Sequence, residues 1–424
     1  MDFNSLCVIG MGYIGLPTAS VFAQAGMQVT GMDTNAKIIN RLQAGKPHIY
    51  EPGLRELVVD SLNSGRLKIS RDVCPADAFI IAVPTPFYED KRADMRAVQA
   101  ACESIVPHLR KGNLVILEST SPPRTTVDLA APILEKSGLK AGVDFLLAYS
   151  PERVLPGNIL SELVDNPRVI GGITPQSAQA GSDLYQKFVK GEIILTDATT
   201  AEMVKLMENT SRDINIAIAN EFSRLAEDFD VDIWEAIQIA NLHPRVNILQ
   251  PGVGVGGHCI SVDPWFLVEA APETANLIRA SRQVNDRQPA FICRLIEKAA
   301  GQIAGKKIGF LGLSFKLDVD DLRESPAVDL AQLLSEKGSL VTAYEPFSKA
   351  SEVSDIKLAE SLEEAIQEAD LIVLAVGHSQ FNNLDPDWVR MHTDANQVFD
   401  AVHAWEKAAW EQAGFDFFGL ARNK

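Results

Sequence analysis

The chain opens with an apolar strand, a glycine-rich turn and a helix, and this arrangement constrains its fold more than any other feature. Ser5–Gly10 is a short apolar run, Leu16–Ala25 has a helical pattern, and between them Gly10, Gly12 and Gly15 have the spacing G-x-G-x-x-G. In that context the first glycine permits a tight turn, the second admits a pyrophosphate and the third lets helix and strand pack closely. The pattern predicts a dinucleotide-binding unit; the alternative is a packing turn without a ligand.

An acidic residue ends the second predicted strand, Gln28–Asp33. Asp33 lies 18 residues after Gly15, where a carboxylate can accept hydrogen bonds from the adenosine ribose. A carboxylate at this position repels a 2′-phosphate, so the cofactor is predicted to be NAD and not NADP.

The rest of the chain alternates between α/β and helical patterns. Apolar strands are predicted at Ala78–Val83 and Leu114–Glu118, and period-3.6 helical blocks follow at Thr199–Ala240 and Pro272–Ala300. Strands then return at four places: Lys307–Leu311, Leu340–Tyr344, Leu371–Val376 and Gln397–Phe399. Such alternation builds parallel, doubly wound sheets.

These patterns predict an α/β fold with two Rossmann-like, doubly wound lobes joined by a helical dimerisation core. The expected domains are residues 1–195 for NAD binding, 196–300 for the helical centre and 301–424 for the second lobe. The second lobe lacks a G-x-G-x-x-G, because the run from Gly309 to Gly312 has a different spacing. If this lobe binds a nucleotide, we expect it to do so without the glycine-rich turn of the first lobe.

Composition excludes several functional classes. The net charge of −17 opposes nucleic acid or an anionic membrane as a partner. The amino terminus has no secretory pattern, and the longest apolar runs are too short for a membrane span. Five cysteines without paired spacing favour a reducing cytoplasm and argue against disulfides or a metal site. We expect a cytoplasmic protein without metal.

A cysteine lies within the glycine-rich segment 251–266. Cys259 follows four glycines in six residues and precedes Asp263 by four positions. Backbone without Cβ atoms can approach a ligand closely, and a thiol in such a place is a candidate covalent nucleophile. The alternative is a buried cysteine acting as a small hydrophobe.

Charged and amide side chains near two other motifs are further candidates. Lys205 and Asn209 share one face of a predicted helix and together can hold an oxygen that gains negative charge. From spacing alone, a solvated polar face is the better interpretation. Glu152 and Arg153 follow another apolar run and can serve as a base and a phosphate contact; a surface ion pair is the alternative.

Three pairs of polar residues lie in loops or after strands, where ligands of open α/β sheets bind. The pairs are Thr85 and Thr120, His243 and Arg245, and Lys316 and Arg323. Their alternatives are proline-rich loop structure, helix capping or packing, and solvated cations in an acidic loop, respectively.

Taken together, the motifs resemble the UDP-glucose/GDP-mannose dehydrogenase family over essentially the whole chain. The motifs, in order, are GMGYIG, VPTP, EST, SPERVLPG, KLMENTSRDINIA, HPRVNILQPGVGVGGHCISVDPWF and FKLDVDDLRESP. The fourth and sixth are most similar to members that oxidise UDP-N-acetyl-D-mannosamine.

The resemblance implies a role for each matching position. The catalytic positions are Cys259 as nucleophile, Lys205, Asn209, Asp263, Glu152 and Thr120. The cofactor positions are Gly10, Gly12, Tyr13, Ile14, Gly15, Asp33, Thr85, Thr126 and Arg323. The nucleotide-sugar positions are Arg153, Val154, Lys205, Asn209, Arg212, Gly256, Phe315 and Lys316, with His243 and Arg245 supplied across the interface of a homodimer.

The implied reaction is a four-electron oxidation of a UDP-sugar C6 hydroxyl to the carboxylate through a cysteine thiohemiacetal and thioester, for bacterial surface polysaccharide synthesis. UDP-N-acetylglucosamine or UDP-glucose as substrate is the alternative within the family. A single-step dehydrogenase of a small hydroxy acid and a non-catalytic NAD-binding regulator are the alternatives outside it.

Overall fold

The computed structural model describes residues 3–155, 157–348 and 353–421. Pro156, within the predicted SPERVLPG motif, lies outside the described residues. The chain divides into two compact units: unit 1 comprises residues 1–208 and 269–272, and unit 2 comprises residues 209–268 and 273–424. The division into three domains by function stays a prediction.

Unit 1 contains an eight-stranded sheet with the order β3-β2-β1-β4-β5-β6-β7-β8. Its strands are β1 (Ser5–Ile9), β2 (Gln28–Met32), β3 (Leu67–Ser70), β4 (Ala78–Ile81), β5 (Leu114–Leu117), β6 (Leu146–Tyr149), β7 (Arg168–Gly172) and β8 (Ile193–Asp197). Strands β1–β6 are parallel, in the order of a doubly wound dinucleotide-binding fold. One pairing departs from the predicted parallel sheet, because β7 pairs with β6 antiparallel.

Helices cover both faces of this sheet. They are α1 (Gly15–Gln24), α2 (Ala36–Gln43), α3 (Leu54–Asn63), α4 (Arg96–Ile105), α5 (Ala131–Leu134), α6 (Ile159–Asp165) and α7 (Pro175–Tyr185), with a π-helical turn at Thr126–Ala130. Alternate side chains of β1 enter different cores: Leu6 and Val8 pack on one face, and Cys7 and Ile9 on the other. A strand buried on both faces reads as a continuous apolar run, which explains its clear sequence signal.

The predicted helical centre is confirmed as helix. Its helices are α8 (Ala198–Asp228), α9 (Ile233–Ala240), α10 (Asp263–Ala270), α11 (Asn276–Asp286) and α12 (Gln288–Ala300). The long α8 contributes its first eleven residues, 198–208, to unit 1 and the rest to unit 2. No helix among the described residues has the length and apolar character needed to cross a membrane.

Unit 2 contains a six-stranded, fully parallel sheet with the order β11-β10-β9-β12-β13-β14. Its strands are β9 (Lys307–Leu311), β10 (Leu340–Tyr344), β11 (Lys357–Leu358), β12 (Leu371–Leu374), β13 (Gln397–Asp400) and β14 (Asp416–Gly419). Its remaining helices are α13 (Pro326–Glu336), α14 (Leu362–Ile366), α15 (Ser379–Asn382), α16 (Pro386–His392) and α17 (Lys407–Gln412). This order repeats the doubly wound order of unit 1, and the predicted α/β fold is confirmed.

Candidate active site

The glycine turn after β1 has a different steric requirement at each glycine. Gly10 has φ +96°, and a Cβ there would lie 2.4 Å from the carbonyl oxygen of Ala82. A Cβ on Gly15 would lie 1.8 Å from the Gly10 carbonyl oxygen, whereas one on Gly12 would have no atom within 4 Å. Two glycines are therefore required by packing, and the third leaves open space at the turn, as pyrophosphate binding requires.

The surroundings of the turn also fit NAD. Helix α1 begins at Gly15, and Ile14 at its N-cap provides no side-chain hydrogen bond, so the positive end of the helix is left to an anion, although the Leu16 amide already donates to the Gly12 carbonyl oxygen at 3.2 Å. Asp33 follows β2; its Oδ2 accepts from the Met11 amide at 3.0 Å and its Oδ1 from the Asn35 amide at 2.8 Å. These bonds fix the carboxylate and leave each oxygen able to accept another donor, such as a ribose hydroxyl.

The loops after β4 and β5 are tied together. Thr85 Oγ1 donates to the carbonyl oxygen of Thr120 at 2.7 Å, and Ser119 Oγ donates to that of Val83 at 2.7 Å. Thr85 and Thr120 are half-buried at the carboxyl ends of adjacent strands. They lie at the edge where ligands of such sheets bind. The two hydrogen bonds join the proline-rich loop after β4 to the loop after β5.

Thr126 begins the π-helical turn and is fully buried. Its hydroxyl donates to Glu202 Oε1 at 2.6 Å and its amide donates to the same oxygen at 2.7 Å, while the Arg124 amide donates to Oε2 at 2.5 Å. Burial raises the pKa of Glu202, and the hydrogen bonds from Thr126 oppose that rise. Glu202 therefore holds this turn against α8, and the Thr126 hydroxyl proton is committed to it.

Glu152 does not pair with the neighbouring Arg153, so the surface ion pair suggested as an alternative is wrong. Glu152 Oε2 accepts from the buried Arg168 guanidinium at 2.5 Å. The Arg153 guanidinium instead contacts Glu208 at 2.5 Å. Arg168 Nη1 also lies 3.4 Å from Glu118 Oε1.

Sequence reasoning missed Arg168 and Glu118 as partners of Glu152. The available signal was weak: Arg168 is a charged residue that starts the otherwise apolar β7, and Glu118 is the first residue of the EST motif. Tyr185 on α7 joins them, donating to Glu118 Oε1 at 2.7 Å. Burial raises the pKa of Glu118 to about 7 against the opposing charge of Arg168.

Helix α8 carries Lys205, half-buried, in unit 1 and Asn209 in unit 2. In unit 2, Asn209 Nδ2 donates to Asp263 Oδ2 at 2.5 Å. Asp263 is 3% exposed and is the first residue of α10. The structure thus brings the Asn209 amide and the Asp263 carboxylate together, and it contradicts a merely solvated polar face at Asn209.

Cys259 is exposed and forms no disulfide, so the alternative of a buried structural cysteine is wrong. Its carbonyl oxygen accepts from the amides of Val262 and Asp263 in the turn before α10. Burial raises the pKa of Cys7 and Cys293 to about 11 and that of Cys102 to about 12. Among the five cysteines, Cys259 alone is classed as exposed, and exposure is a requirement for a reactive thiol.

The segment that follows β9 supports the Cys259 loop within unit 2. The Gly257 amide donates to the Arg323 carbonyl oxygen at 3.1 Å. A Cβ on Gly256 would lie 2.5 Å from the Glu324 carbonyl oxygen, and one on Gly257, at φ +82°, would lie 2.9 Å from the Phe315 ring. Close approach therefore explains both glycines.

Arg323 is not a solvated cation alone: its guanidinium donates twice to Asp321, at 2.9 and 2.7 Å. The His258 ring lies 3.8 Å from the same carboxylate, and burial lowers the pKa of His258. Lys316, by contrast, is exposed. The Arg323–Asp321 pair thus lies beside the cysteine loop, at Gly257 and His258, the two residues before Cys259.

The other predicted substrate residues lie near surfaces. Arg212, His243 and Arg245 are exposed, and the Arg245 amide donates to His243 Nδ1 at 3.4 Å. Val154 is half-buried and packs near Ile159 in unit 1.

The fold and glycine turn define a dinucleotide-binding protein of the Rossmann class. Three models of one family match the chain: the NAD binding domain at residues 4–189, the central domain at 199–287 and the UDP binding domain at 309–407. The chain therefore belongs to the UDP-glucose/GDP-mannose dehydrogenase family, as predicted. It is an NAD-dependent nucleotide-sugar dehydrogenase with a UDP-sugar substrate.

Individual relatives cover nearly the whole chain. A UDP-N-acetyl-D-mannosamine dehydrogenase of Campylobacter jejuni is 49% identical over 402 residues, covering 92% of this chain and 98% of that protein. An NDP-N-acetyl-D-galactosaminuronic acid dehydrogenase of Ralstonia solanacearum is 46% identical over 397 residues, covering 91% and 94%. The structure of a UDP-D-ManNAc dehydrogenase from Pyrococcus horikoshii is 40% identical, with a TM-score of 0.91 over 99% of both chains.

Proposed function

We propose that the protein oxidises the C6 hydroxyl of UDP-N-acetyl-D-mannosamine to the carboxylate, giving UDP-N-acetyl-D-mannosaminuronate. The support is similarity to enzymes named for this substrate, at 44–49% identity over most of the chain, and the exposed thiol of Cys259. The aldehyde intermediate must be oxidised a second time, and a thiol can hold it covalently until that step.

Cys259 is the nucleophile in this proposal. When bound, NAD⁺ accepts one hydride in each of the two oxidations. Lys205 and nearby water take the hydroxyl proton in the first oxidation. The Cys259 thiolate then adds to the aldehyde carbon, and the resulting thiohemiacetal becomes a thioester after the second hydride leaves.

Asn209 stabilises the oxyanion formed when the thiolate adds. Its amide nitrogen has two hydrogens, and one is directed to Asp263 at 2.5 Å. That bond fixes the amide plane and leaves the second hydrogen for the substrate oxygen. A fixed donor aimed at developing charge lowers the barrier more than a mobile one.

Glu152 assists the final hydrolysis, with Thr120 beside the water. Water attacks the thioester carbonyl carbon and its proton passes to the Glu152 carboxylate. The carbon–sulfur bond then breaks, and the sulfur leaves as the Cys259 thiolate. This step regenerates the nucleophile and releases the acid.

Binding roles follow the family match. Gly10, Gly12, Gly15, Asp33 and the N-terminus of α1 hold NAD, with Tyr13, Ile14, Thr85, Thr126 and Arg323 as further contacts. Arg153, Val154, Arg212, Gly256, Phe315 and Lys316 contact the nucleotide sugar. We further propose a cytoplasmic homodimer in which His243 and Arg245 reach the partner's substrate, and three functional domains at 1–195, 196–300 and 301–424.

Cys259→Ser tests the covalent step. The wild-type enzyme is expected to form two NADH per molecule of sugar acid, whereas the serine variant forms no acid because an alkoxide at serine is not accessible as a thiolate is. Cys74→Ser is the matched control, since Cys74 is the other cysteine that is not buried, and it should retain both products. Acid formation by Cys259→Ser at the wild-type rate would refute the mechanism.

A second sugar is favoured by one comparison. The Ralstonia solanacearum relative, 46% identical, is named for an N-acetyl-D-galactosaminuronic acid. The sugars differ in stereochemistry, which a few contacts decide. NADH formation and product mass should be measured with UDP-ManNAc, UDP-GalNAc, UDP-GlcNAc and UDP-glucose; the highest kcat/KM with UDP-GalNAc would replace our first proposal.

A further inference from the structure

A buried ionic cluster lies behind Glu152 in unit 1. We call it the Arg168 cluster: Arg168, Glu152, Glu118, Ser150 and Tyr185. Arg168 is 4% exposed, and the side chains of Glu118 and Glu152 are 0% and 8% exposed. Burying one cation with two carboxylates is costly unless the geometry compensates, so the arrangement calls for a reason.

Both oxygens of Glu152 are held. Oε2 accepts from Arg168 Nη2 at 2.5 Å, and Oε1 accepts from the Arg153 amide at 2.8 Å. The other charges nearby are already paired, because the Arg153 guanidinium contacts Glu208. Arg168 is therefore the charge that fixes the plane of the Glu152 carboxylate.

Arg168 is itself held on its other side. Its Nη1 donates to Ser150 Oγ at 3.2 Å and to Glu118 Oε1 at 3.4 Å, and its guanidinium stacks 4.1 Å from the centre of the Tyr185 ring. Glu118 Oε1 also accepts from the Tyr185 hydroxyl, whereas its Oε2 is buried without a hydrogen-bond partner. Arg168 lies nearer to Glu152 than to Glu118, so Glu118 is the weaker competitor for the guanidinium.

The charge of Glu118 depends on pH, because the pKa of this carboxyl is raised to about 7. Burial raises the pKa of Glu118, Arg168 lowers it, and the Glu152 charge raises it again. Tyr185 stays protonated, because burial raises its pKa well above the usual value. As Glu118 ionises, it competes for the guanidinium and draws it away from Glu152.

We infer that Arg168 is a positioning residue that aims the Glu152 carboxylate for thioester hydrolysis, with Glu118 as the competing carboxylate. The inference rests on the proposed function. In this step the Glu152 carboxylate takes a proton from the attacking water, and a carboxylate that is protonated or turned away cannot do so. The two hydride-transfer steps do not need Glu152 as a base.

The first test is Arg168→Lys in the full-length enzyme. Lysine keeps the positive charge but lacks the planar fork that reaches both carboxylates. Acid release should slow about tenfold or more, so that a burst of about two NADH per site precedes a slow steady state and a thioester adduct accumulates on the intact protein.

Arg282→Lys is the matched control. Arg282 is also buried, with a side chain 2% exposed, and it pairs with Asp213 and Asp286. A change that only loosens a buried ion pair should leave the ratio of acid release to hydride transfer unchanged. Equal slowing of hydride transfer and acid release in Arg168→Lys would overturn the inference.

Glu118→Gln keeps the inference testable if the lysine variant does not fold. The amide removes the competing charge but still accepts from Tyr185. Relative to wild type, the ratio of acid release to hydride transfer should rise at about pH 8.5, where Glu118 is ionised, and stay unchanged at about pH 5.5, where it is protonated. A ratio that does not respond to pH would overturn the inference, whereas a wild-type enzyme that forms no acid would overturn the proposed function itself.

Discussion

Replacing Gly12 by alanine should separate NAD binding from folding. The added methyl would meet no protein atom within 4 Å, and Gly12 is not among the glycines with positive φ. The substitution therefore costs the fold nothing in contacts. It should stabilise unit 1 by about 0.4–1 kcal/mol, because alanine has fewer conformations to lose on folding.

The same methyl should weaken NAD binding. It fills the space through which a pyrophosphate approaches the backbone, and displacing one hydrogen bond to a charged group costs about 1.5–3 kcal/mol. At about 1.4 kcal/mol per tenfold, the Kd should rise by about 10- to 100-fold. Gly15→Ala should behave differently, since its Cβ would lie 1.8 Å from the Gly10 carbonyl oxygen. Overpacking of this kind costs about 1–3 kcal/mol or more of stability.

Calorimetric titration of NAD and chemical denaturation would measure the two effects on one preparation. Gly252→Ala is the matched control, because a Cβ there also has no atom within 4 Å and φ lies outside the positive range. It should leave the Kd unchanged. Wild-type NAD affinity in Gly12→Ala, or a loss of stability equal to that of Gly15→Ala, would refute the assignment of this space to the pyrophosphate.

Three further substitutions probe the rest of the site. Asp33→Ala should weaken NAD binding and reduce discrimination against NADP, because the carboxylate that accepts ribose hydroxyls and repels a phosphate is lost; unchanged cofactor preference in steady-state kinetics would contradict this. Asn209→Ala should lower kcat and cost about 1–3 kcal/mol of stability, since it leaves the buried Asp263 without that donor; a kcat at the wild-type level would count against the oxyanion role. Gly257→Ala should lower the free energy of unfolding by about 1–2 kcal/mol, measured as a lower thermal midpoint, because φ is +82° and the methyl would meet the Phe315 ring. An unchanged midpoint would show that the loop can relax.

Features with a local cause could be predicted from the sequence. The predicted β9 and β10, at Lys307–Leu311 and Leu340–Tyr344, match the structure residue for residue. Strand β1 ends one residue earlier than predicted, and helix α1 begins and ends one residue earlier than predicted. Each element is a short, largely apolar segment that ends at a turn. Its burial and its ends can therefore be predicted from residues that are adjacent in the sequence.

Features set by distant pairing could not be predicted. Strand β7 runs antiparallel to β6 although its apolar pattern resembles that of a parallel strand. The partner of Glu152 is Arg168, 16 residues away, and not the adjacent Arg153. Likewise, Thr126 is bonded to Glu202, 76 residues away. In each case the deciding interaction depends on tertiary packing that no local spacing encodes.

The second lobe shows why a motif search and a physical argument give different answers. Although it lacks G-x-G-x-x-G, Gly312 after β9 has φ +89°, and a Cβ there would lie 2.5 Å from the Val376 Cβ, as Gly10 is restricted by Ala82 in unit 1. Glu345 after β10 occupies the position that Asp33 occupies after β2.

The two acids nevertheless differ in the acceptor capacity left for a ligand. Glu345 Oε2 accepts from the amides of Leu313 and Ser314 at 2.8 and 2.9 Å and lies 3.0 Å from His378 Nε2, while its Oε1 accepts from the Phe347 amide. Three partners saturate one oxygen, whereas each oxygen of Asp33 accepts one backbone amide. Because only Asp33 retains room for two ribose hydroxyls, an acid at the end of the second strand indicates a dinucleotide site only when its oxygens are not already taken by the protein.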